Sequence, residues 1–133
     1  MELLTIGIIS YLMGSIPFGL ILTKIFLKKD IRDIGSGNIG ATNALRTGNK
    51  FIGYSTLILD IVKAVIPVLY VKVNFPDLIY VSALCAFLGH VFPVWLKFKG
   101  GKGVATYVGI LCSIIISKIF VDGFSFCRTF NYD

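Results

Sequence analysis

Charge is scarce in this chain. Only 15% of its 133 residues are Asp, Glu, Lys or Arg, against about a quarter in a soluble domain. Acidic residues are the scarcer sign, seven against thirteen basic, and the charges gather in short stretches, which excludes an evenly solvated exterior. Histidine occurs once and tryptophan once. The three cysteines, Cys85, Cys112 and Cys127, show no metal-ligand spacing. Cys85 and Cys112 fall in apolar runs and read as small buried hydrophobes; Cys127 reads as a free thiol. A net charge of +6 comes without a basic face interleaved with aromatics, so nucleic acid is not an expected partner. Met1-Glu2 lacks a positive leader and no clean small-residue cleavage site follows, so the first apolar run reads as retained. No cofactor motif and no metal cluster is expected.

What fills the chain instead is hydrocarbon: 56% of residues are hydrophobic and the mean hydropathy is +0.84. A membrane span needs about 20 mostly apolar residues. Residues 3–26, 51–73, 78–96 and 104–121 meet that need, the first interrupted by Gly14-Ser15-Ile16-Pro17, where proline should kink the helix. The expectation is an all-α polytopic membrane bundle with four transmembrane helices in this chain. Six Lys/Arg lie between Lys24 and Lys50 and three between Lys97 and Lys102, whereas the loop around Asn74–Asp77 has only Lys72 nearby. Positive charge stays inside, so the first and third loops should face the cytoplasm and the N-terminus the outside. After Val121 the apolar character stops, and residues 122–133 read as an aberrant tail without periodicity or cap.

Two glycine-rich, cation-flanked loops interrupt the spans: DIRDIGSGNIGATNALR at 30–46 and FKGGKGVAT at 98–106. Glycine lets backbone N–H groups converge on an oxyanion, and Lys and Arg suit phosphate. Gly35 to Gly40 matches G-x-G-x-x-G with Asp60 twenty positions on, but a dinucleotide fold would need a preceding strand, and here the motif follows a membrane span. Lys102 is followed by Gly103, which excludes a P-loop. What remains is local: Ser36, Asn38, Thr42 and Asn43 offer hydroxyls and amides, Arg46 a planar fork, and a helix from Ala41 would add its N-terminus. The bland alternative is a polar turn with a helix cap and positive-inside lysines. His90, at a span end beside Pro93, has three readings: general base, oxyanion donor or structural hydrogen-bonder. Asp60 and Lys63, three apart within a span, share a face and either pair with each other or serve a site.

The blocks GSIPFG, DIRDIGSGNIGATNALRTG, LDIVK and GHVFPVWLKFKGGKGVAT together resemble the bacterial acyl-phosphate-dependent glycerol-3-phosphate acyltransferases, the PlsY type, over residues 7 to 120. The resemblance implies integral membrane enzymes of about seven helices in the bacterial inner membrane, with an outside N-terminus. They move a fatty acyl group from acyl phosphate to the sn-1 hydroxyl of glycerol 3-phosphate, giving lysophosphatidic acid, and a soluble partner enzyme makes the acyl phosphate. It implies that Ser36 and Arg46 are the essential polar residues of a first motif shared with Gly35, Gly37, Asn38, Gly40, Thr42 and Asn43. Gly100, Gly101, Lys102 and Gly103 match a second motif, associated with glycerol 3-phosphate binding, and Lys99 beside them is a further substrate-binding candidate. His90 and the Asp60–Lys63 pair match recurrent positions, His90 as a catalytic candidate and Lys63 as a substrate-binding one. The family's third motif, with His, Asn and a later Glu, has no counterpart after Val121, so this sequence reads as a truncated member whose activity is open. The competing readings are a small membrane transporter or binding protein for an organic phosphate, and a non-functional remnant.

Overall fold

A computed structural model describes the backbone of residues 1–129 and the side chains of residues 1–116. Among the described residues every regular element is helical. Helix α1 (Glu2–Gly14) is followed across Ser15–Pro17 by α2 (Phe18–Leu27), the loop helix α3 (Ala41–Leu45), the long α4 (Lys50–Asn74), α5 (Ile79–Val91) and α6 (Val104–Thr129). The expected kink in the first span is thus a break. Pro17 has no N–H to continue the ladder and disfavours helix in Ile16. The freed Ile16 carbonyl accepts a hydrogen bond from Lys63 Nζ at 2.6 Å. The third span also stops early, at Val91, because Phe92 precedes Pro93, and a 3₁₀ turn, Val94–Leu96, completes it. Asn49 opens α4 by accepting from the N–H groups of Phe51 and Ile52 at 3.0 and 3.4 Å. The backbone of α6 is helical to Thr129, beyond the expected end of the fourth span. The expected tail therefore starts inside a helix. Its side chains, including Cys127, and residues 130–133 lie outside the described residues.

The burial pattern is inverted relative to a soluble bundle. The inward faces hold Ser10, Thr56, Asp60, Lys63, Ser82, His90 and Thr106, whereas Leu4, Ile8, Ile25, Ile58, Tyr70 and Leu84 point outward. Water would not tolerate that arrangement; hydrocarbon does. Helix α1 meets α5 through small residues: a Cβ on Gly14 would lie 2.1 Å from the Ala86 carbonyl oxygen, and one on Gly89 2.2 Å from that of Tyr11. Ser10 and Ser82 share a hydrogen bond of 2.8 Å in the same seam. Two apolar clusters complete the interior. Leu20, Ile31, Ile39, Ala44 and Ile52 lie under the first glycine-rich loop, and Ala64, Val68, Ala83 and Ile110 join α4, α5 and α6. The stretches Glu2–Leu27 and Pro76–Leu96 are long and apolar enough to cross a bilayer.

A candidate active site between the two glycine-rich loops

The first loop is organised by Asn43, which is 2% exposed. Its Nδ2 donates to the carbonyls of Ile31, Ile34 and Asn38 at 3.0, 2.8 and 2.8 Å, and its Oδ1 accepts from the Ser36 N–H at 3.0 Å. One amide thereby closes a loop that no regular ladder could hold. Gly35 has φ +54, and a Cβ there would lie 2.5 Å from Asn43 Oδ1 and 2.9 Å from Arg46 Cδ. Only glycine lets both side chains cross this point. Arg46 caps the end of α3. At the loop's other edge Asp30 takes two side-chain bonds from Arg32, at 2.9 and 2.7 Å. Hydrogen bonding from Arg32 holds the Asp30 carboxyl well below the usual carboxylate range. Arg32 is therefore engaged locally.

The second loop folds back onto the end of α5. The N–H of Gly100 donates to the Val91 carbonyl at 3.0 Å and that of Gly101 to the His90 carbonyl at 3.1 Å. Gly101 sits against the imidazole, where a Cβ would come within 2.2 Å of Nε2. Helix α6 then leaves along α4 so closely that a Cβ on Gly109 would lie 2.7 Å from the Ile61 carbonyl oxygen. Thr106 Oγ1 reaches the Asp60 carbonyl at 3.4 Å. This close pairing brings Lys102 and Gly103 to the inward face of α4.

The two loops meet at one pocket of about 390 Å³. Ser36, Asn38, Gly40, Thr42, Asn43 and Arg46 line it from the first loop, Lys102 and Gly103 from the second, and His90 from α5. The N-terminal residues Val104 and Ala105 of the long α6 face it too, and Leu57, Ile61 and Val108 supply an apolar wall. Asp60 also lines it, a residue noted in the sequence but not assigned to the site. Ser36, Thr42, Arg46 and Lys102 are exposed, so the polar wall is open, while Asp60 and His90 are buried at its base.

Six expected site residues do not line the pocket. Gly35 and Gly37 are exposed and shape the loop, the N–H of Gly37 donating to the Ile34 carbonyl at 3.0 Å. Gly100 and Gly101 spend their N–H groups on α5, so they are not the anion cradle expected of them; their glycine identity serves close approach to His90. Lys99 points to solvent. Lys63 is turned away: it pairs with Asp60 Oδ1 at 2.8 Å, caps Ile16, and lies 5.8 Å from the centre of the Phe18 ring. The helix expected from Ala41 is present but only five residues long, so its dipole is slight.

A sequence-family model described as "Glycerol-3-phosphate acyltransferase" matches residues 4–130. The chain belongs to the glycerol-3-phosphate acyltransferase family. A relative of that name from Pelagibacter ubique is 73% identical over 130 residues, covering 98% of this chain and 68% of its own. One from Bartonella henselae is 57% identical over 79% of this chain and 52% of its own. The chain thus spans between about half and two thirds of these acyltransferases. Two crystal structures of PlsY, an integral membrane glycerol 3-phosphate acyltransferase, share the fold. Its glycerol 3-phosphate form superposes with a TM-score of 0.81 at 36% identity, over 98% of this chain and 66% of that one. Its lysophosphatidic acid form gives 0.78 at 39%, over 88% and 59%.

Proposed function

We propose that the pocket between the two loops binds glycerol 3-phosphate and an acyl phosphate, and that acyl transfer between them gives lysophosphatidic acid. The observation that carries this reading is the meeting of Ser36, Arg46, Lys102 and His90 around one cavity, drawn from segments up to 66 positions apart in the chain. Arg46 and Lys102 supply cationic donors for phosphate. The N-terminus of α6 adds its dipole on the same side. The apolar wall of Leu57, Ile61 and Val108 accommodates the start of an acyl chain.

Acyl phosphate is already activated, so no covalent enzyme intermediate is needed. The sn-1 hydroxyl attacks the acyl carbonyl carbon, a new ester C–O bond forms, and the acyl C–O bond to phosphate breaks. The hydroxyl proton passes to the departing phosphate, with His90 the protein group placed to share it. Arg46, Lys102 and Ser36 hold the phosphates and offset the charge that develops on the carbonyl oxygen. Among the described residues no base is hydrogen-bonded to the Ser36 hydroxyl, which disfavours an acyl-enzyme. Family membership favours this chemistry over organic-phosphate transport.

In this reading the chain crosses the bacterial inner membrane four times with its N-terminus outside, both loops open to the cytoplasm, and a soluble enzyme supplies the acyl phosphate. The test is to incubate the purified chain in nanodiscs with palmitoyl phosphate and labelled glycerol 3-phosphate. Lysophosphatidic acid should appear, and Arg46→Ala should lower kcat/KM by about a hundredfold or more. Absence of product from this chain, under conditions where the Pelagibacter relative turns over, would refute the activity.

A further inference from the structure

A carboxylate is out of place in a phosphate pocket, where it repels the ligand that Arg46 and Lys102 attract. Asp60 is nonetheless 2% exposed and faces the same cavity as those cations. A purely structural ion pair with Lys63 would not require that position. Lys63, which does not line the cavity, is held also on the Ile16 carbonyl at 2.6 Å and over Phe18, and its Nζ lies 2.8 Å from Asp60 Oδ1. That contact supplies a countercharge; among the described residues Oδ1 accepts no well-aligned hydrogen bond, and His90 Nδ1, 3.8 Å from it, makes none. The result is a buried, charge-compensated carboxylate on the wall of the pocket. An ionised carboxylate accepts and never donates, so the groups it selects are hydroxyls.

We propose that Asp60 is a specificity-determining residue that accepts a hydrogen bond from a hydroxyl of the phosphorylated polyol, whose phosphate lies on Arg46 and Lys102. The inference rests on the phosphate-binding reading above and adds its polyol end. Cations at one end and an acceptor at the other fix a small ligand in one orientation, with its free hydroxyl directed along the pocket.

The test is equilibrium binding to the full chain in detergent, using inorganic phosphate, propyl phosphate and glycerol 3-phosphate. The wild type should bind glycerol 3-phosphate at least about tenfold more tightly than propyl phosphate, the range of one hydrogen bond to a charged group. In Asp60→Asn that preference should fall about tenfold, while inorganic phosphate binds as well or better because a negative charge has gone. A parallel loss of both ligands would make Asp60 a structural brace and overturn the proposal. If the variant does not fold, the wild type decides: equal affinity for propyl phosphate and glycerol 3-phosphate would also overturn it, leaving the phosphate site intact. Failure of all three ligands to bind would remove the phosphate site as well.

Discussion

At Gly101 a single methyl group separates a formed site from a broken one. The imidazole of His90 occupies the volume that any other side chain would need, 2.2 Å from a Cβ, and His90 is itself packed between Asp60 and the second loop. Overpacking a tight interior costs about 1–3 kcal/mol. Gly101→Ala should therefore lower thermal stability in detergent by that amount. The same substitution in a His90→Ala background should cost much less, since the colliding ring is gone. Equal costs in the two backgrounds would show that the clash is not the cause. Ser36, Arg46 and Lys102, which line the pocket, stand out in the sequence because their side-chain chemistry is intrinsic. The work of Gly100 and Gly101 does not, because it consists of contacts with His90, which lies ten and eleven positions earlier in the chain.

Helices in this molecule associate by close backbone approach more than by polar bonds, and the seam between α1 and α5 separates the two effects. The Ser10–Ser82 bond is of a kind worth about 0.6 kcal/mol on average between membrane helices. Gly89, in contrast, sits where a Cβ would lie 2.2 Å from a backbone oxygen and 2.9 Å from the Ser15 nitrogen, and a backbone cannot swing aside as a side chain can. Gly89→Leu should abolish folded yield in detergent-resistant form, while Ser82→Ala should be nearly silent. The reverse ranking would put the weight on the hydroxyls. Apart from the end of α6, the helix bounds fall within a few residues of the apolar runs, because those runs and Pro17 and Pro93 are local signals. The organising role of Asn43 was not legible in the sequence, since it reaches back to Ile31, a contact that no spacing announces. Nor was the bond from the buried Lys63 to the Ile16 carbonyl, which exists only because the first span breaks there.

On the scale of the whole molecule, the pocket requires both glycine-rich loops on one side of the membrane, and the distribution of charge predicts which side. Six basic residues lie between Lys24 and Lys50 and three between Lys97 and Lys102, while Lys72 stands alone beside the loop at Asn74–Asp77. Because translocating Lys or Arg is unfavourable, the basic loops should remain cytoplasmic and Asp77 should emerge outside. Asp33, Asp77 and Lys99 are exposed and none lines the pocket, so each accepts a reporter cysteine once Cys85, Cys112 and Cys127 are replaced by alanine. An impermeant maleimide should label Asp77→Cys in right-side-out vesicles, and Asp33→Cys and Lys99→Cys in inverted ones. Asp33 and Lys99 labelling from opposite sides would be incompatible with a shared pocket. All three labelling in the inverse sense would keep the pocket but open it to the outside, where a cytosolic supply of acyl phosphate could not reach it.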